Sequence, residues 1–232
     1  MKKIVILSAG PGLDDIVQKY GHSSDWIPAI LSDCNLEFSI KKAYLKELMT
    51  LNDGDAWVIT GSKYSVYENV DWINNLVDFV RLLIENNKPV LGICFGHQII
   101  AKAIGAKVVK NHLGWELGSY SLQLTKEGEK NMLFDGFNDG DIVYESHQDV
   151  VIELPEEATV LASTTKSIQS FNYKFCYGVQ FHPEFSFRVT RMLMDLRIKR
   201  GIKVDNNVLL ESINSHKILN NFVQIFKGDT NG

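Results

Sequence analysis

A chain of 232 residues, 45% hydrophobic and 22% charged, has apolar material for one sizeable core, and nothing in it calls for two. With 24 Lys and Arg against 28 Asp and Glu, the net charge of -4 lacks the basic surplus that phosphate backbones select; the longest basic cluster is the short RIKR at 197–200, so no nucleic-acid partner is expected. No apolar run approaches the ~20 residues of a membrane helix, and the three scattered cysteines, Cys34, Cys94 and Cys176, show no CxxC spacing, which argues against a disulfide framework or a zinc site and fits a reducing cytoplasm.

The opening MKKIVILSAGPG is basic and then apolar, like a signal peptide, but its apolar part is only a strand long and runs into a turn, so 3–10 reads as a first strand. SDWIPAILSDC (24–34) reads as a helix capped by Ser24 or Asp25, and EFSIKKAY (37–44) as a second strand. DAWVITG (55–61) is a third strand, VDWINNLVDFVRLLIENN (70–87) a long amphipathic helix, and KPVLGIC (88–94) a fourth strand. This alternation predicts an α/β fold, with a mostly parallel twisted sheet covered by helices on both faces and sites at the carboxyl ends of its strands. From 105 to 184 short strand-like runs follow one another, DIVYESHQDVVIELP (141–155) read as one of them, and predict an antiparallel extension of the same sheet. Helices return at 187–200 and 206–226, before a polar tail, 227–232, expected to fray. The whole of 1–232 is expected to be a single domain, with C-terminal helices from about 187 to 227.

Cys94 stands in VLGICFGHQII, flanked by Gly92 and Gly96, where strand-forming residues give way to a helical pattern. Gly-x-Cys-x-Gly at such a junction is the cysteine form of a nucleophile elbow, a turn tight enough that only small residues fit beside it. A helix starting near His97 would favour the thiolate through its dipole. A buried cysteine in a tight turn is the bland alternative. A thiolate nucleophile needs a base, and GVQFHPEFS offers His182 and Glu184 on either side of Pro183. Proline keeps the segment extended, so residues two apart point the same way and Glu184 can hold one tautomer of His182. His-x-Glu could equally be part of a metal site, although no other His or Cys lies at ligand spacing nearby.

GICFGHQ together with GVQFHPE resembles the two signature segments of the class I, triad-type glutamine amidotransferases, among them stand-alone GMP-synthase-like members and γ-glutamyl peptidases. The likeness covers most of 3–186. It implies that Cys94 is the nucleophile, His182 the general base and then acid, and Glu184 the orienting carboxylate. It implies an oxyanion hole of two backbone N–H groups, those of Phe95 and Gly61, although Gly61, Ser62 and Lys63 stand where relatives often carry Gly-Gly-Pro. It places Gln98 against the substrate, and Ser146 and His147 in a loop that holds the amino-acid end of glutamine largely through backbone groups. His97 reads as a structural contact, His147 as either a contact or a solvated loop residue, Trp115 as packing beside the site or touching substrate, and Cys34 and Cys176 as ordinary core thiols. His22, His112 and His216 have no partner visible in the sequence.

The resemblance thus implies a hydrolase that cleaves the γ-amide of glutamine or of a γ-glutamyl compound through a γ-glutamyl thioester, with no cofactor and no metal. One alternative is a separate glutaminase subunit; too few residues follow Glu184 for an ATP-binding synthetase region, so the ammonia acceptor would be a partner chain. A non-catalytic, ligand-binding or regulatory relative is the other.

Overall fold

The computed structural model describes residues 1–205 and 208–228. Its first half runs β1 (Lys3–Ser8), α1 (Asp14–Tyr20), α2 (Ser23–Ile30), β2 (Glu37–Lys42), β3 (Ala56–Ile59), α3 (Asp71–Glu85), β4 (Val90–Ile93) and α4 (Phe95–Ala103). The second half runs β5 (Lys107–Lys110), β6 (Glu116–Ser121), β7 (Gln123–Leu124), β8 (Ile142–His147), β9 (Asp149–Glu153), β10 (Thr159–Ser163), β11 (Ile168–Tyr173), β12 (Cys176–Val179), α5 (Phe187–Lys199) and α6 (Lys217–Lys227). The main sheet has the order β2-β1-β3-β4-β12-β11-β10-β7. Its first five strands pair in parallel and the last three antiparallel, so the predicted α/β architecture and its antiparallel extension are both present.

Strands β1, β3 and β4 are buried along their whole apolar length because helices cover both faces. On one face α3 contributes Trp72, Ile73, Leu76, Val77, Val80, Leu83 and Ile84, the three-and-four spacing of a single apolar stripe. Each such side chain stabilises the fold by roughly 1.5–3 kcal/mol when taken out of water. The helix gives way at Asn86 and Asn87, the latter left-handed at φ 52°, just before Pro89. On the other face α2 and α6 supply Ile27, Phe222 and Val223. Among the described residues no helix is long and apolar enough to cross a membrane.

Four local expectations need correcting. The segment between β1 and α2 holds a further helix, α1, which the sequence reading passed over. The cap of α2 is His22, whose Nδ1 accepts from the Ser24 N–H at 3.2 Å, rather than Ser24 or Asp25. Residues 141–155 are two strands in two separate ladders, β8 paired with β6 and β9 with β5, because the chain changes partners at Gln148; neither ladder belongs to the main sheet. Helix α6 begins at Lys217 rather than 206. The main chain before it is bonded elsewhere, Leu210 N–H to Ser119 Oγ and Ser212 N–H to the Tyr144 hydroxyl, so those donors are taken by the β6/β8 ladder. Residues 206 and 207, within the predicted helix, and 229–232 of the predicted fraying tail lie outside the described residues.

Candidate active site

Strand order brings the two signature segments together. β4 and β12 are parallel neighbours, with Ile93 opposite Val179, and the ladder continues one step further as Cys94 N–H donates to Val179 O at 2.8 Å. The residues beyond both strands therefore emerge side by side at the carboxyl edge of the sheet, with Gly61 beyond β3 as their neighbour on the other flank. A β-carbon on Gly61 would lie 2.8 Å from His182 Cε1 and 3.6 Å from Cys94 Cβ, so this glycine sits against both groups.

Cys94 has φ 52° and ψ -100°, a strained conformation that costs on the order of 1–3 kcal/mol. The turn closes because its two glycines let backbone meet backbone. A β-carbon on Gly92 would stand 2.3 Å from Gly96 O, and one on Gly96 would stand 2.4 Å from Ile59 O. Helix α4 starts at Phe95, directly after the cysteine, rather than near His97. The Phe95 N–H is thus one of the unpaired donors of the helix start. Among the described residues neither it nor the Gly61 N–H bonds to another protein group. Ser62 explains how the glycine turn is held without Gly-Gly-Pro: its Oγ donates to Ala9 O at 2.7 Å, tying the turn to the end of β1.

His182 Nδ1 faces Glu184 Oε1 at 2.8 Å, both residues are about 5% exposed, and Phe185 stacks on the imidazole at 3.9 Å with planes 9° apart. Burial works against a charge on His182, yet the Glu184 carboxylate and the neighbouring Cys94 side chain outweigh it and push the imidazole up to about 10. Two cavities open at Cys94. One, of about 250 Å³, is bordered by Gln98, Ser146, His147 and Asp149. The other, of about 110 Å³, lies toward α1, α2 and α5. Both Nε2 hydrogens of Gln98 are committed, to Asp149 O at 2.9 Å and Gln180 Oε1 at 3.0 Å, which leaves its carbonyl oxygen as the free end. The loops on either side are joined through Asp149, which accepts from the Ser65 and Tyr67 hydroxyls.

His147 is buried rather than solvated, and it borders the larger cavity. Its Nδ1 meets the Asp149 carbonyl at 3.1 Å and so carries a proton, while Nε2 faces Glu145 at 3.1 Å and Glu116 at 3.4 Å. A ring between acceptors on both sides favours the imidazolium. Although burial opposes it, the two carboxylates push His147 up to about 9, and burial pushes Glu145 up to about 7. Both groups hold protons more tightly in the folded chain than in the unfolded one. The His147 contribution to stability is therefore complete below about pH 6.5 and lost as pH rises toward 9; the Glu145 contribution is lost between about 4.5 and 7. His182 acts in the same direction up to about 10. Urea midpoints should fall steadily from pH 6 to pH 9, by the equivalent of a few kcal/mol, and less in Glu145→Gln. A midpoint that rises over this interval would exclude a charged His147.

The remaining singled-out residues have plain roles. His97 is fully buried, rests on the Phe171 ring at 4.8 Å and is kept neutral by burial, which pushes it down to about 3. Cys176 is buried, which pushes its thiol up to about 12, and burial also raises Cys34. His22 Nε2 donates to Gly10 O at 2.9 Å, anchoring the turn after β1. Sequence reasoning missed Arg197. In sequence it belongs to the short basic run 197–200, whereas its Nε donates to Ser146 Oγ at 3.1 Å and its guanidinium lies 4.4 Å from the Trp115 ring centre. Its distance in sequence from both motifs left no signal. Phe185, directly after Glu184, was within reach of the motif.

The sequence profile of the class I glutamine amidotransferase family matches residues 15–196. The chain belongs to that family. The relatives of this glutamine amidotransferase-type enzyme include γ-glutamyl peptidases and GMP synthase subunits. Gamma-glutamyl peptidase 4 of Arabidopsis thaliana is 31% identical over 213 residues, which cover 89% of this chain and 84% of that protein. One of the subunits of the glutamine-hydrolysing GMP synthase of Saccharolobus solfataricus is 32% identical over 167 residues, 71% of this chain and 80% of that one. The solved structure of a glutamine amidotransferase from Thermotoga maritima superposes with a TM-score of 0.72 at 22% identity, over 98% of this amidotransferase chain and 94% of its own, and so shares the fold.

Proposed function

We propose that this enzyme hydrolyses the γ-amide bond of glutamine or of γ-glutamyl compounds, with Cys94 as nucleophile, His182 as acid and base, and Glu184 orienting it. The observation that carries this reading is the juxtaposition of Cys94 and His182 across the parallel β4/β12 pair, with Glu184 2.8 Å behind the imidazole. The Cys94 thiolate adds to the γ-carbonyl carbon, forming a C–S bond. The resulting oxyanion lies between the Gly61 and Phe95 N–H groups, each such donor worth roughly 3 kcal/mol in the transition state. His182 gives its proton to the leaving nitrogen and the amine departs. The neutral imidazole then takes a proton from water, hydroxide attacks the thioester, and glutamate leaves as the C–S bond breaks. The larger cavity suits the amino-acid end of the substrate, with the Gln98 carbonyl oxygen and Asp149 facing the ammonium, the Ser146 hydroxyl as a further polar contact, and His147 holding the loop from behind.

A second reading, a glutaminase subunit that passes ammonia to a separate synthetase chain, is supported by the likeness to the GMP synthase subunit. Turnover of glutamine and γ-glutamyl dipeptides by the isolated chain separates the two: activity on both supports the hydrolase, whereas silence on dipeptides with glutamine cleaved only after a synthetase is added supports the subunit. Glu184 touches no reacting atom in this scheme. Glu184→Gln should therefore keep more kcat/KM than His182→Ala, and the opposite order would mean that the roles are misassigned.

A further inference from the structure

The second cavity at Cys94 has a composition unlike the first. Its walls include Leu13, Val17, Trp26, Phe185 and Leu193, apolar side chains drawn from the turn after β1, helices α1 and α2, and α5. Ammonia, the leaving group of glutamine, has no use for such a chamber. At about 110 Å³ it is somewhat smaller than the 150 Å³ void known to hold benzene, and so matches a branched aliphatic side chain. Arg197 borders both cavities. Its Nε is engaged by Ser146 and its face by Trp115, burial works against its charge, and among the described residues no carboxylate pairs with it. A partly desolvated guanidinium held in place by stacking is suited to take a carboxylate through its remaining donors. Lys63, whose ammonium lies over the Tyr64 ring, also borders both cavities, and the larger one has Lys110 as a cation of its own.

On the hydrolase reading above, we propose that the smaller cavity is a leaving-group subsite for an apolar α-amino acid whose carboxylate is met by Arg197. The preferred substrates are then γ-glutamyl dipeptides with an aliphatic second residue. γ-Glutamyl-leucine carries both features, γ-glutamyl-glycine lacks the side chain, and γ-glutamyl-3-methylbutylamide lacks only the carboxylate.

The test is kcat/KM of the isolated enzyme on these three compounds and on glutamine, for wild type and Arg197→Gln. γ-Glutamyl-leucine should exceed each of the other three at least tenfold in wild type. In Arg197→Gln its advantage over the methylbutylamide should collapse to within about twofold, while its advantage over γ-glutamyl-glycine, which rests on the apolar walls, persists. Glutamine cleaved as well as or better than γ-glutamyl-leucine overturns the subsite, and so does an equal loss on all four compounds in Arg197→Gln, which would assign Arg197 to the γ-glutamyl end. Should that variant fail to fold, the wild-type comparison of leucine with methylbutylamide decides alone. A wild-type enzyme inactive on all four removes the hydrolase reading, and the subsite with it; activity on glutamine without the predicted preferences removes only the subsite.

Discussion

Cys94→Ala should lower kcat/KM on the order of 10⁴-fold or more, at least about 5 kcal/mol of transition-state stabilisation. No described residue can substitute for it. The other two thiols are raised by burial and lie away from both cavities, and on the proposed chemistry the loss removes the bond-forming atom rather than a supporting contact. His182→Ala should fall nearly as far, and the double variant little further, because the two act as one unit. The same assignment predicts that a diazo-ketone analogue of glutamine labels the protein once, at Cys94, with Cys34 and Cys176 unmodified by mass spectrometry. Equal labelling of three cysteines, or a Cys94→Ala protein within tenfold of wild type, would dispose of the proposed chemistry.

The second large effect is structural. Gly96→Ala should destabilise the fold by at least about 3 kcal/mol, a fall in Tm of roughly 6–12 °C for a chain of this length, or prevent folding altogether. The reason is the identity of the obstructing atom. An added β-carbon would meet the main-chain oxygen of Ile59 at 2.4 Å, and Ile59 belongs to a central strand paired with both β1 and β4, so it has nowhere to move. Gly92→Ala presses instead on Gly96 O at 2.3 Å, which drives α4 away from the strand and should displace Cys94 even in whatever protein folds. Gly105→Ala, where a β-carbon meets nothing within 4 Å, is the control: its φ of 85° makes it mildly unfavourable, but it should leave activity in place. Thermal melts and turnover on the three variants check this, and a Gly96→Ala protein matching wild type in both would show that the elbow is looser than its contacts imply.

What sequence alone determined is local chemistry with a short range. The glycines at 92 and 96 announce the elbow because only residues without a β-carbon allow it. The His-Pro-Glu segment announces an extended run in which positions 182 and 184 share a direction, and the 2.8 Å contact between them follows from that. The alternation of apolar strands with an amphipathic α3 likewise implied parallel pairing, since each element carries its own period. The tertiary structure decided whatever depends on who neighbours whom. Nothing in the run 141–155 says that it will part at Gln148 to serve two ladders, because both halves alternate as strands and the choice of partner is made by β5 and β6. The Leu210 and Ser212 N–H donors are drawn off by Ser119 and Tyr144, some 70 to 90 residues away, and no local propensity records that loss. His147 could be read as a solvated loop residue until Glu116 and Glu145 were found to converge on its Nε2. Arg197, in a run that looks like ordinary solvated surface, faces Cys94 only because α5 folds back over the β6/β8 ladder. Spacing along a chain encodes which way a side chain points within its own element; the long-range contacts that give a buried charge its partner, or withhold one, exist only once the elements have packed.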